Sequence, residues 1–159
     1  MSGFSTPSLP ASEKEMNVVA IRKARQSGWV YYIADDAGLD PNKCGKWMYF
    51  FANRAFVAGV CERAVSTGVV VEAKHSDAPR GVACFYMKVD DCPAHRRVIT
   101  YFLENGLVQR TKTGRLYDIS FKLDTQTIAG QYGPDFHSAI KLSTFLDLTT
   151  GDWISPPPG

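Results

Sequence analysis

The chain has 159 residues, 45% of them hydrophobic and 21% charged, with a formal net charge of +2. That length supports one ordinary core and not two, and so small a charge supplies no global field to draw the chain onto nucleic acid or an anionic membrane. Any anion site therefore has to be local. No run approaches the roughly eighteen apolar residues that span a bilayer, and no basic stretch followed by an apolar one opens the chain, so a soluble cytoplasmic protein with no membrane partner is expected.

Residues 1–11, rich in Ser, Pro and Gly, and residues 155–159, Ser-Pro-Pro-Pro-Gly, read as flexible tails around a single domain at 12–154. Ser12 with Glu15 makes a capping-box pattern, and Met16, Val18, Val19, Ile21 and Ala24 predict a helix that Gly28 ends. Trp29-Val30-Tyr31-Tyr32-Ile33 is aromatic and β-branched, which suits a strand, and Asp35 to Cys44 reads as loop from its Gly38, Pro41 and Asn42. Gly45-Lys46-Trp47-Met48-Tyr49-Phe50-Phe51 reads as a buried strand that contains a lysine.

Phe56, Val57, Val60, Cys61, Ala64 and Val65 form one apolar helical stripe, with Asn53 as its cap and Gly68 as its stop. A hairpin of strands Val69 to Lys74 and Val82 to Lys88 follows. Asp90, Asp91 and Pro93 open a third helix, with Val98, Ile99, Phe102 and Leu103 facing inward and Asn105-Gly106 closing it. Arg115 to Leu123 alternates Tyr117, Ile119, Phe121 and Leu123 against Asp118, Ser120 and Lys122, a strand pattern, and Ile140 to Leu148 suits an edge strand. Helices mixed with hairpins predict an α+β fold, a mainly antiparallel sheet with helices packed on one face.

Helices on one face leave the other to the alternate strand residues, namely Glu72, Lys74, Tyr86, Lys88, Asp118, Ser120 and Lys122. One reading is a solvated sheet face with cross-strand ion pairs such as Lys74 with Asp118. The other is a ligand site. A lysine inside a strand must reach water, a counter-charge or a ligand, because an unpaired ammonium is too costly to bury. In the ligand reading Lys46, Lys74 and Lys122 converge on phosphate, Trp47 or Tyr132 stacks on a base, and Asp124 or Thr127 hydrogen-bonds to it. The alternatives are that Trp47 is core and that Asp124-Thr125-Gln126-Thr127 is a turn. Lys46 and Trp47, being adjacent, point to opposite faces of a regular strand and join one site only at a strand end or bulge.

Catalytic and metal residues are not expected. His75, His95 and His137 lack zinc spacing, and no Walker or dinucleotide pattern is present. Asp90 and Asp91 read as helix capping, and Arg96 and Arg97 as a solvated face. Cys44, Cys61, Cys84 and Cys92 read as reduced thiols. No cofactor is implied.

The order of Gly45-Lys46-Trp47-Met48, a helix ending at Gly68, Val71-Glu72-Ala73-Lys74-His75-Ser76, Ala83-Cys84-Phe85-Tyr86, Asp90-Asp91 with a helix, Phe121 to Thr127 and Gly130-Gln131-Tyr132 resembles the BLES family. That family is named from a basophilic leukaemia-expressed protein, has no assigned reaction, and is grouped with the fold of the cap-binding translation initiation factor 4E. The resemblance spans Cys44 to Gly133. It implies a curved antiparallel sheet backed by helices, holding a nucleotide or a capped or otherwise phosphorylated ligand on the concave side. The ring-stacking tryptophans of cap binders are not matched to particular tryptophans of this chain. The expected function is thus non-enzymatic binding of such a ligand. A protein-interaction module, an inhibitor or adaptor using an exposed sheet edge, is the alternative of another class, and an enzyme acting on a phosphorylated small molecule is a third.

Overall fold

A computed structural model describes residues 20–35, 38–39, 43–123 and 140–154. The first described element, β1 (Ile21–Gln26), is a strand, where a helix reaching Gly28 was expected. Ser27 and Gly28 have φ of 55° and 84°, the two positive values of a two-residue hairpin turn, and Gln26 faces Trp29 across it. Gly28 turns a hairpin into β2 (Trp29–Ala34) instead of ending a helix. The apolar spacing of Ile21 and Ala24 suits either structure, and the tight turn with its cross-strand pairing decides for the strand. The helix start expected at 12–19 lies outside the described residues.

β3 (Cys44–Phe51) runs into α1 (Arg54–Ser66). The Asn53 side chain accepts from the Phe56 amide at 2.9 Å, the expected N-cap. At the far end Gly68 adopts φ 80°, and the amides of Val69 and Val70 both donate to Ala64 carbonyl oxygen. Those bonds finish the helix and delay the next strand, so β4 is Glu72–Ser76 and not Val69 to Lys74. β5 (Gly81–Lys88) completes the hairpin. α2 (Cys92–Glu104) is capped by Asp91, which accepts from the Ala94 amide at 3.1 Å.

Beyond α2 the expected strand from Arg115 is mostly absent. Tyr117 amide bonds back to Gln109 carbonyl and Arg110 bridges Leu116, which folds 109–117 into a turn of its own. Only β6 (Phe121–Leu123) joins the sheet. The expected edge strand from Ile140 to Leu148 is instead a short helix, α3 (Leu142–Phe145), between isolated bridges at Lys141 and Leu146.

The six strands form an antiparallel sheet in the order β1-β2-β4-β5-β3-β6. Cross-strand register sorts its residues into rows. Tyr32, Ala73, Phe85, Trp47 and Phe121 stand opposite one another in succession, and all are at most 1% exposed. Both long helices cover this row. Phe85 meets Phe102 of α2 edge to face with centroids 5.1 Å apart, Val57, Val60 and Val65 of α1 join the same core, and Tyr101 of α2 donates to the Val60 carbonyl at 2.7 Å. Burying a large apolar side chain stabilises by about 1.5–3 kcal/mol, so this row with its helices carries most of the fold's driving force. The architecture is α+β, an open antiparallel sheet with helices. Among the described residues no helix is long and apolar enough to cross a membrane.

Candidate functional site

One residue along each strand, the register builds a different row on the opposite face. Arg22, Ile33, Glu72, Tyr86, Lys46 and Lys122 face one another in order across the whole sheet. The next row holds Ala24, Tyr31, Lys74, Cys84 and Met48. With Lys88 opposite Cys44 at the end of β5, this face sets Arg22, Lys46, Lys74, Lys88 and Lys122 against the carboxylate of Glu72. Among the described residues, a chain of small net charge thus gathers several lysines on one sheet face, with Lys46 directly opposite Lys122.

The rings of this face explain how a lysine is held there. The Lys74 ammonium lies 4.0 Å from the Trp29 ring centroid, 5.5 Å from that of Tyr31 and 5.8 Å from that of Tyr86. Lys46 approaches the Tyr86 ring from the neighbouring strand at 5.5 Å. Each such contact is worth about 0.5–1 kcal/mol when exposed and about 2 or more when desolvated. Tyr86, between the two ammonium groups, is 7% exposed. Trp29, Tyr31, Lys46 and Lys74 are half-buried, so part of each ring and stem stays accessible.

Lys46, Lys74 and Lys122 therefore share a face. Trp47 does not, which corrects its assignment as a base platform. It points to the helix side, is 1% exposed, and its indole N–H donates to His95 Nδ1 at 3.1 Å. Period-two alternation sends it away from Lys46, and no bulge reverses that. Asp124, Thr127 and Tyr132 lie outside the described residues. The expected Lys74–Asp118 pair does not form, because Asp118 is engaged by the backbone N–H and hydroxyl of Ser143 at 2.8 and 2.7 Å. Trp29 and Tyr31 were not singled out as site residues. Their signal is the alternation of Trp29, Tyr31 and Ile33 against Val30, Tyr32 and Ala34, which places both rings on one side of β2.

The two described histidines serve the core. His95 donates from Nε2 to the Val89 carbonyl at 2.8 Å while Nδ1 accepts from Trp47, which defines a neutral ring. His75 donates from Nδ1 to the Ser76 carbonyl at 2.9 Å, and its Nε2 accepts from the Tyr32 hydroxyl at 3.1 Å. Burial lowers both imidazoles from their ordinary value and pushes the Tyr32 hydroxyl up to about 12, so all three stay uncharged at neutral pH. With both nitrogens engaged, neither ring is placed as a base for a cysteine. Cys44, Cys61 and Cys84 are buried thiols and Cys92 a half-buried one. Burial raises the Cys61 thiol well above its ordinary value, the opposite of what a nucleophile needs. Among the described residues no cluster of three His, Cys, Asp or Glu side chains is placed to hold a metal ion.

A cleft of about 500 Å³ lies on the helix side, between the end of α1 and α2. Its Arg96 stacks on Trp153 at 4.8 Å, while Arg97, Thr67 and Thr100 line it without any buried polar group converging on a point. It has less chemistry to offer than the lysine face. In comparisons with known proteins, the chain matches no family model and no curated protein.

Proposed function

We propose that the chain binds a nucleotide or another phosphorylated ligand on the lysine-bearing face of its sheet, as a non-enzymatic domain of the cap-binding initiation factor 4E type. The observation that carries this reading is the Lys74 ammonium resting on Trp29, Tyr31 and Tyr86, with Lys46 sharing Tyr86. Aromatic platforms beside a positive groove are the means by which sequence-tolerant nucleotide binders work. In this scheme the base takes over the ring surface of Trp29 or Tyr31 and Lys74 turns to the phosphate, joined by Lys46 and Lys122. The exchange is close to balanced at the ring, since base stacking of about 1–3 kcal/mol replaces a cation–π contact of about 0.5–2 kcal/mol. The gain comes from the charge-assisted contacts with phosphate. A free nucleoside then binds far more weakly than its phosphates.

The test is thermal-shift and calorimetric titration with nucleosides, their mono- and diphosphates, cap analogues and inorganic phosphate. A nucleotide that binds the native state raises the melting temperature. Trp29→Ala is expected to weaken nucleotide binding by about 5- to 150-fold, the equivalent of one lost stacking contact, and Lys74→Ala and Lys122→Ala to weaken it without unfolding the chain. No shift with any of these compounds, or binding unchanged in both lysine variants, overturns the reading.

A further inference from the structure

Among the described residues, the outer edge of β3 is paired over only part of its length. β5 pairs with β3 along its whole length, Cys44 to Phe51, but β6 reaches only Gly45 to Trp47 on the other side. From Met48 to Phe51 no described strand pairs with that edge. Beyond β6 the chain peels away, as Ser120 bridges Lys141 and the Leu142 amide bonds Ile119 carbonyl. A groove of about 290 Å³ follows, lined by Met48, Tyr49, Phe50, Leu107, Gln109, Tyr117 and Ile119. Met48 and Phe50 belong to one face of the sheet and Tyr49 to the other. That all three line one groove means it runs along the strand edge itself.

Proteins commonly blunt such edges with lysine, proline or a bulge. Met48-Tyr49-Phe50-Phe51 has none of these, and Phe50 is 68% and Tyr117 48% exposed. The wall opposite the edge is formed by the arms of the 109–117 turn, whose tip carries Arg110, Lys112 and Arg115 and no acidic residue. All three cations are exposed.

We propose that this edge takes an extended segment of a partner protein as an added β-strand between β3 and the 109–117 arms. Its backbone pairs with the outer edge of Met48 to Phe51, an aromatic or large aliphatic side chain fills the groove against Phe50 and Tyr117, and acidic residues beside that anchor meet Arg110, Lys112 and Arg115. Main-chain pairing supplies affinity and the alternate side chains supply specificity in this mode of recognition. A second copy pairing through the same edge fits less well, because it brings its own basic 109–117 turn to an interface that needs opposite charge. The site is separate from the lysine face and does not depend on the nucleotide reading.

The experiment is selection of short random peptides displayed against the whole chain, with Phe50→Ser and the Arg110→Glu/Arg115→Glu double variant as counter-selections. Phe50 and both arginines are exposed, so these variants keep the fold, which is checked by their melting temperatures. The expected outcome is an enriched sequence with a large apolar anchor flanked by Asp or Glu, slowed amide hydrogen exchange at Met48 to Phe51 when it is bound, and affinity about tenfold or more lower on Phe50→Ser. Charge reversal of the arginines is expected to favour basic flanks instead. No peptide that depends on Phe50, or bound peptides that leave exchange at Met48 to Phe51 unchanged, overturns the proposal. So does concentration-dependent dimerisation that Phe50→Ser abolishes, which assigns the edge to a second copy, or tighter binding of single-stranded RNA than of any selected peptide at this groove.

Discussion

Phe85 and Tyr86 are neighbours in β5, and the two faces they belong to are held by different kinds of contact. On the Phe85 face, polar atoms that enter the core find a fixed partner in the protein, as Trp47 does in His95 and Tyr32 in His75. On the Tyr86 face the charges rest on rings, contacts that water or a ligand can replace at small cost. Two rows one residue apart thus divide the work, one closing the core and the other keeping exchangeable interactions. An unpaired polar group costs about 1–3 kcal/mol when buried and far less at a half-wet surface, so an exchange of partners costs less on the second face.

The sharpest contrast between the faces is Trp47→Ala against Lys46→Ala in adjacent positions of β3. Truncating the tryptophan is expected to cost about 3–5 kcal/mol, with the His95 Nδ1 acceptor orphaned in addition. Truncating the lysine is expected to cost about 1 kcal/mol, the size of its exposed cation–π contact with Tyr86, which chemical denaturation of both variants measures. Comparable losses would erase the distinction between the rows.

Gly45→Ala comes next, since a methyl group at Gly45 would lie 2.6 Å from both the Lys122 carbonyl oxygen and the Phe121 ring. Overpacking of this kind costs about 1–3 kcal/mol. Hydrogen exchange is expected to show β6 loosening while β5 stays protected, and nucleotide binding to fall with it through displacement of Lys122.

Acid separates the faces as well. His75 and His95 are buried in neutral form and their folded values are depressed by burial. The unfolded chain therefore takes up protons first. Their contribution to stability is complete above the ordinary histidine value of about 6.5 and is lost progressively as pH falls from there through the folded values. Melting curves between neutral pH and pH 5 are expected to show this decline in the parent chain and in Lys74→Ala alike, because both imidazoles are buried on the helix side of the sheet, away from Lys74. A parent chain whose melting temperature is flat over this window would mean that neither imidazole is held neutral.

The smallest effect is Lys74→Met, which removes the ammonium and keeps the stem. Its stability is expected to change by less than about 1 kcal/mol, the size of an exposed cation–π contact, while binding of a phosphorylated ligand drops. A large loss of stability there would make Lys74 part of the structural core.

Much of the local structure was legible. The caps at Asn53 and Asp91, the helix stops at Gly68 and Gly106 and the hairpin of β4 and β5 follow from residue chemistry that acts over a few positions. The Ile21 to Gln26 strand is not legible because its apolar spacing fits two periodicities and the pairing with β2 that decides between them is a tertiary contact. The shortened β6 and the helix at Leu142 are not legible because alternation persists in sequence whether or not a partner strand is there to pair with it. On the sheet face, the lysines are legible because charge inside an apolar run stands out, and Trp29 and Tyr31 are not because aromatic residues in a strand look like core.

By itself the sequence determined which residues share a side of each strand, since period-two alternation is a property of the backbone, and hence that Lys46 and Trp47 part company. Only the tertiary structure decided which strands are neighbours. The order β1-β2-β4-β5-β3-β6 brings Trp29 and Tyr31 to Lys74, and Lys122 to Lys46, across long stretches of chain. That order is selected by burying Tyr32, Phe85, Trp47 and Phe121 together beneath two helices, a gain spread over the whole sheet that no single segment encodes.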